Sequence, residues 1–298
     1  MLERTVNMLE PDETPRDEAY NVGMNTVLWR KAIHDSWRQL LASSVLLVLF
    51  GWVFVWLMSQ FRPGAMGAII SFLPKFVEPM LGVPLVDLAT TAGRMSFLYV
   101  HVVVMLLVIG WAVGRGSDVV AGEIARGTMD LLLAMPIRRA SLLLASGTVA
   151  AAGSAVLALS IWLGHALGLR LIEFPEPVSA TRFLPGAINL FAMTFCLTGL
   201  TTLFSSWGRD RWRTVLWAGG LFVLSAVLKM VARLWLRGEW LKYLSFLTAF
   251  EPQKLILLPP EEAAALAWRY NLTLVGLGLS AYLLAAAIFT CRDIPAHS

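Results

Sequence analysis

The chain has 298 residues, of which 57% are apolar and 15% charged, with a formal net charge of +4. Ordinary soluble domains are roughly a quarter charged, and one soluble core cannot hide several separate apolar runs of about twenty residues, each long enough to cross a hydrocarbon layer of roughly 30 Å. The composition therefore places the chain in a membrane, and basic residues set mostly between the apolar runs suit anionic lipid headgroups rather than a nucleic-acid groove.

Residues 1–22 are polar and expected to be flexible, and their acidic stretch from Glu10 to Glu18 is no signal peptide. Insertion would then rely on the first span. From Met24 to Leu41 a helical period appears. Leu28, Trp29, Ala32, Ile33, Trp37, Leu40 and Leu41 share one face, and Arg30, Lys31, His34, Asp35, Arg38 and Gln39 the other. Tryptophans opposite cations predict a helix lying in the membrane interface. Six spans follow: Leu40–Met58, Ser96–Val113, Ser141–Leu167, Phe183–Phe204, Thr214–Leu228 (continuing toward Leu236, with Lys229 and Arg233 snorkelling outward) and Ala267–Phe289. Between the first two, Phe61–Gly93 carries Pro63, Pro74, Pro79 and Pro84 and reads as a loop or short helices. A short helix is expected over Glu239–Ala249. The fold class is thus all-α membrane protein, with residues 23–298 as one six-helix domain and a loop, 114–139, between spans two and three.

With both termini inside, the inner segments hold 13 of the 24 Lys and Arg, and the excess is clearest in the two tightest loops, where the positive-inside rule acts best. Both termini are therefore expected to be cytoplasmic.

Little in the sequence can carry chemistry. No phosphate loop occurs, nor even a Gly-Lys pair, and no H-E-x-x-H or G-x-S-x-G is present. Cys196 and Cys291 make no disulfide framework. His34, His101, His165 and His297 share no ligand spacing; the two in spans, His101 and His165, read as hydrogen bonders in helix packing. The sequon at Asn271 falls inside the sixth span. In the third span Ser146, Ala150, Ser154 and Ala158 recur every four residues, which lets another helix approach closely. In the fourth, Thr194, Thr198, Thr201 and Ser205 line one face. Their hydroxyls either bond their own helix one turn back or form the weakly polar wall of a translocation path.

The stretch Ala121–Arg139 is the most specific. Gly127 breaks one helix; Thr128 suits the N-cap of the next, with Asp130 in its first turn. Leu131, Leu132 and Leu133 give that short helix an apolar surface, Pro136 stops it, and Arg138-Arg139 would anchor the next span at the headgroups. Such a helix could dock into a partner protein or lie flat on the membrane, using the same leucines either way.

This stretch resembles the cytoplasmic loop of permease subunits of exporter-type ATP-binding-cassette transporters, the type-2 permease family. Members show a Glu, then Gly-Thr-Leu-x-x-Leu-Leu, then Pro-x-x-Arg. Glu123, Gly127, Thr128, Leu131, Leu132, Pro136 and Arg139 match, with Met129 in place of the usual Leu. The Gly-Lys that often follows the arginine is replaced by Ser146-Gly147. The interfacial helix, six spans and an Arg292-Asp293 ending agree in layout. What the resemblance implies is a half-transporter: two six-helix subunits, identical or closely related, around a path, each resting on a separate ATPase subunit. The short helix would be the coupling helix, and Glu123 would lie near the turn that relays its motion. ATP and Mg would be bound by that partner; this chain would need no cofactor and no nucleic acid, and would not be an enzyme. Its place would be the plasma membrane, in a bacterium the inner one, in contact with lipid. Apolar spans favour export of a hydrophobic or amphipathic substrate. The rival readings are a non-transport helical membrane protein, as a scaffold or a lipid-modifying enzyme, and a secondary transporter. The first would show catalytic polar groups and the second inverted repeats or broken midplane helices, and neither pattern is visible in the sequence.

Overall fold

The computed structural model describes residues 14–61, 72, 74, 77–134, 138–174 and 176–292, giving the backbone alone for 14–25, 133 and 236. Among the described residues every regular element is helical. Six helices are long and apolar enough to cross a membrane: Thr26–Ser59, Thr91–Ala125, Arg139–Leu171, Ala180–Trp207, Arg211–Leu234 and Pro260–Cys291. Each contains one predicted span. Their main α-helical bodies are α1 (Thr14–Ser59), α2 (Val102–Ser117), α3 (Arg139–Leu171), α4 (Leu184–Trp207), α5 (Arg211–Leu234) and α6 (Pro260–Cys291).

The amphipathic segment and the first span are one uninterrupted helix of 46 residues, about 69 Å at roughly 1.5 Å per residue. It begins at Thr14, inside the segment expected to be flexible; the first thirteen residues lie outside those described. Leu28 and Ser36 are buried, Lys31 turns toward Glu123 and Asp35 O accepts from Arg115, while Trp29, Ile33 and Trp37 face outward.

α1 packs along α3, and α4 packs along α6. Both crossings depend on missing side chains. A Cβ on Gly164 would lie 2.2 Å from the Val48 carbonyl oxygen of α1, and one on Gly199 would lie 2.5 Å from that of Gly278 on α6. Backbones this close gain dispersion contacts where water gives no hydrophobic drive between helices. Of the predicted small-residue stripe, Ala150, Ser154 and Ala158 are indeed buried, and the indole nitrogen of Trp111 on α2 donates to Ala150 O at 3.1 Å.

The second span is broken, which its even hydropathy conceals. A short helix, Thr91–Ser96, and a 3₁₀ turn, Phe97–Val100, precede α2, and His101 caps α2 by accepting from Val103 N. His165, buried on α3, meets the Tyr99 hydroxyl at 3.3 Å. Both histidines therefore serve packing, as expected. Asn271 also serves packing, accepting from Asn189 Nδ2 at 2.8 Å.

Two expectations at the end of the molecule away from the 114–139 loop need correction. The helix expected over Glu239–Ala249 is two 3₁₀ segments, Leu236–Leu244 and Phe246–Ala249, divided at Ser245, whose hydroxyl donates to Ser225 O on α5. Lys229 and Arg233 do not snorkel outward. Both turn inward to Glu251, Lys229 Nζ at 3.1 Å; Lys229 also donates to Phe250 O at 2.6 Å. A nearby carboxylate gives these cations a better partner than the distant headgroups.

Candidate functional site

The loop after α2 is built around one buried carboxylate. α2 passes through a π-helical segment, Asp118–Gly122, into the single turn Glu123–Ala125. Gly127, at φ +71°, ends that turn. Thr128 N donates to Glu123 O at 3.1 Å and Gly127 N to Ile124 O at 3.0 Å, the double closure of a left-handed helix cap that glycine adopts without steric cost. The chain is thereby reversed into a second short helix, Met129–Leu133.

Thr128 does not cap that helix with its side chain. Its hydroxyl instead donates to Glu123 Oε2 at 2.5 Å, because the tight turn brings the two side chains together. Glu123 Oε1 accepts from Lys31 Nζ of α1 at 2.6 Å and from Arg126 Nη2 at 2.8 Å. Arg126 continues to Asp118 Oδ1 at 2.6 Å, and Arg115 and Arg211 stand 3.6 Å from the same carboxylate. Glu123 itself is 5% exposed, so these bonds offset a desolvation that an unpaired carboxylate would not survive.

A π turn leaves backbone donors without their usual partners. Ser205 of α4 supplies them: Val120 N and Ala121 N donate to its Oγ at 3.3 and 2.9 Å, and its hydroxyl donates to Ser117 O. Thr194, Thr198 and Thr201 bond carbonyls one turn back on α4, and all four residues are at most 1% exposed. The hydroxyl stripe is buried within the subunit.

The leucines divide. Leu132 and Met129 are buried with Leu28, Ile124, Leu142 and Phe289, whereas Leu131 is 71% exposed. Counted from Gly127, the pattern's leucine pair falls on Leu132 and Leu133, and Leu132 is an anchor of the loop, not a surface. Pro136 lies outside the described residues. Arg139 does not reach for headgroups: its guanidinium donates to Arg292 O at 2.5 Å and Phe289 O at 3.4 Å. Arg292 in turn donates to Ser206, Trp207 and Gly208 carbonyls at 2.8, 2.8 and 3.1 Å. Cations here neutralise unsatisfied carbonyls at helix C-termini and tie α3, α6 and α4 together at this end. Asp293 lies outside the described residues.

The arrangement brings Glu123, Gly127 and Thr128 into one node, as their spacing suggested, and adds Lys31, Arg126, Asp118 and Ser205. Lys31 was legible as a polar-face residue, but nothing local marks its partner 92 residues away. No cluster of His, Cys, Asp and Glu suited to a metal occurs among the described residues.

Comparison with known proteins agrees with this layout. The family model described as "ABC-2 family transporter protein" matches residues 28–294. No curated protein matches the chain.

Proposed function

The chain belongs to the ABC-2 family of transporter proteins and is a membrane permease of an ATP-binding-cassette transporter; from that premise we propose that two such subunits pair around a central path and each rests on a separate ATPase, which binds ATP and Mg. The loop 114–139 faces the cytoplasm, as do both termini, in the plasma membrane, which in a bacterium is the inner one. The cargo is hydrophobic or amphipathic and is exported.

The exposed Leu131, carried by a turn locked around buried Glu123, supports this reading most directly. A short helix on a floppy loop would absorb any push from a partner. Here Lys31 fastens the turn to α1 and Ser205 fastens the segment before it to α4. Movement of the short helix would be delivered to α1, α2 and α4 together, as a rigid-body change driven by closure of the nucleotide-bound ATPase. The outward Trp29, Ile33 and Trp37 fit the headgroup layer and let the first half of α1 ride in the interface.

Co-purification of the cognate ATPase tests the coupling assignment. Burying Leu131 in a partner's cleft is worth about 1.5–3 kcal/mol, so Leu131→Asp should weaken association about tenfold or more at roughly 1.4 kcal/mol per decade. Undiminished binding removes the assignment. Leu132→Asp is no substitute, since it would disrupt the subunit's own packing. Orientation is checked in a Cys291→Ser background. A cysteine at Glu239 should react with an impermeant reagent from outside and one at Ala134 should not; the reverse pattern overturns the topology.

A further inference from the structure

One face of α5 borders two cavities of similar chemistry, one at its N-terminal end and one at its middle. α5 packs on α4, α2 and the 3₁₀ segment that follows it, and only Thr214, Ala218 and Ser225 along it are buried. The first cavity, about 560 Å³, is lined by Phe204, Trp207 and Trp217 beside Arg209, Arg213 and Arg292. The second, about 580 Å³, is lined by Leu200, Leu221 and Leu277 beside Lys242, Arg269 and Thr248. Both volumes fall within the roughly 300–1,000 Å³ of small-molecule sites.

The two follow one another along the same faces of α5 and α4. Thr214 and Trp217 line the first, Leu221 and Ser225 the second, and that spacing of three to four residues keeps them on one helix face. On α4, Phe204 and Trp207 line the first and Leu200 the second in the same way. The middle is apolar and the ends are cationic.

The cations are incompletely matched. Asp210 is the one acidic residue lining the first cavity against three arginines, and its contact with Arg213 is loose, at 3.9 Å. Arg209 and Arg292 repel: burial and Arg209 both hold the Arg292 guanidinium below its usual value. At the other end Lys242 pairs with Glu239 at 2.5 Å, but Arg269 makes no ion pair among the described residues. Thr248 lines the same cavity. An acidic group would pair with Arg213 or Arg269, and the leucines and indoles between would cover an alkyl chain. Leu277 lies about 12 Å further along α6 than Arg269, at roughly 1.5 Å per residue, which is room for a chain beneath a head.

We propose that these two cavities form one groove that binds an anionic amphiphile, its acid group held at a cationic end and its chain along the apolar middle of α5. Naming that occupant as the cargo class rests on the transporter reading; the binding does not.

Dodecyl phosphate is a suitable probe, titrated into the full-length chain in nanodiscs of neutral phosphatidylcholine. Saturable binding is expected. Of Arg213→Gln and Arg269→Gln, both at exposed side chains, the one at the end that holds the acid group should weaken it about tenfold through loss of a charge-assisted hydrogen bond, and the other should leave it little changed. Leu221→Trp, which fills the middle, should weaken it without altering charge. Dodecylphosphocholine should bind less and inorganic phosphate should not compete. Equal binding of the zwitterion, effective competition by phosphate, or unchanged affinity in all three variants would overturn the groove. No ATPase is present in this measurement, so its outcome is separate from failure of the coupling assignment.

Discussion

Glu123 and Glu251 occupy opposite ends of the bundle and are built alike. Glu123 is buried and Glu251 largely so, each meets one lysine and one arginine, and each fastens a loop to a spanning helix. They differ in how their cations meet water. The lysine and arginine on Glu123 are 37% and 42% exposed, whereas those on Glu251 are 17% and 23%. Glu251 is further locked by its backbone, N donating to Asn189 Oδ1 at 2.9 Å. Losing the carboxylate costs the fold less at the Glu123 node, because its cations can be rehydrated.

The sharpest way to break this contrast is to remove each carboxylate. Glu251→Gln strands two poorly hydrated cations, and breaking such a buried pair costs about 3–5 kcal/mol. A fall in thermal stability of the detergent-solubilised chain should be the largest of this set. A fall no greater than that of the Glu123 variant would end the distinction. Ser205→Ala comes next, since it withdraws the partner of two buried backbone donors, at about 1–3 kcal/mol. Hydrogen exchange at Val120 and Ala121 should accelerate before the rest of the bundle opens, and unchanged protection there would show that the hydroxyl is not what holds the π segment. Glu123→Gln should cost about 1–2 kcal/mol, because solvent reaches Lys31 and Arg126 and screens their loss. Its mark should instead be uncoupling: ATPase association retained, transport-stimulated hydrolysis lost. Thr128→Ala should be the mildest, at about 1 kcal/mol for one hydrogen bond, and Thr128→Ser should restore it. Restoration would not follow if the threonine methyl, rather than its hydroxyl, were what mattered.

The two nodes were not equally legible. Glu123, Gly127 and Thr128 stand within six residues of one another, so local spacing was enough to group them, and the positive φ at Gly127 follows from a helix that must end there. At Thr128 a good capping residue and a good partner for Glu123 look the same in sequence, and only the tight turn decides between them. Lys229 and Arg233 were read as snorkelling since their partner lies 18 to 22 residues on, across two 3₁₀ segments with no periodicity to locate them. Ser205 looked like one more member of a hydroxyl stripe, yet it differs from Thr194, Thr198 and Thr201 by facing another helix's irregular turn.

The sequence by itself determined the number of spans, the all-helical class, the turn at Gly127 and the absence of a phosphate loop. Hydrophobic run length, glycine and motif spacing are local quantities, and they survive whatever the helices pack against. Only the tertiary structure decided which leucine is a surface and which is core, where the second span breaks, and which cations meet which carboxylates. Those outcomes depend on partners tens of residues away, and two side chains with the same local pattern, Leu131 and Leu132, end at 71% and 6% exposure solely because a neighbouring helix lies on one side of the turn.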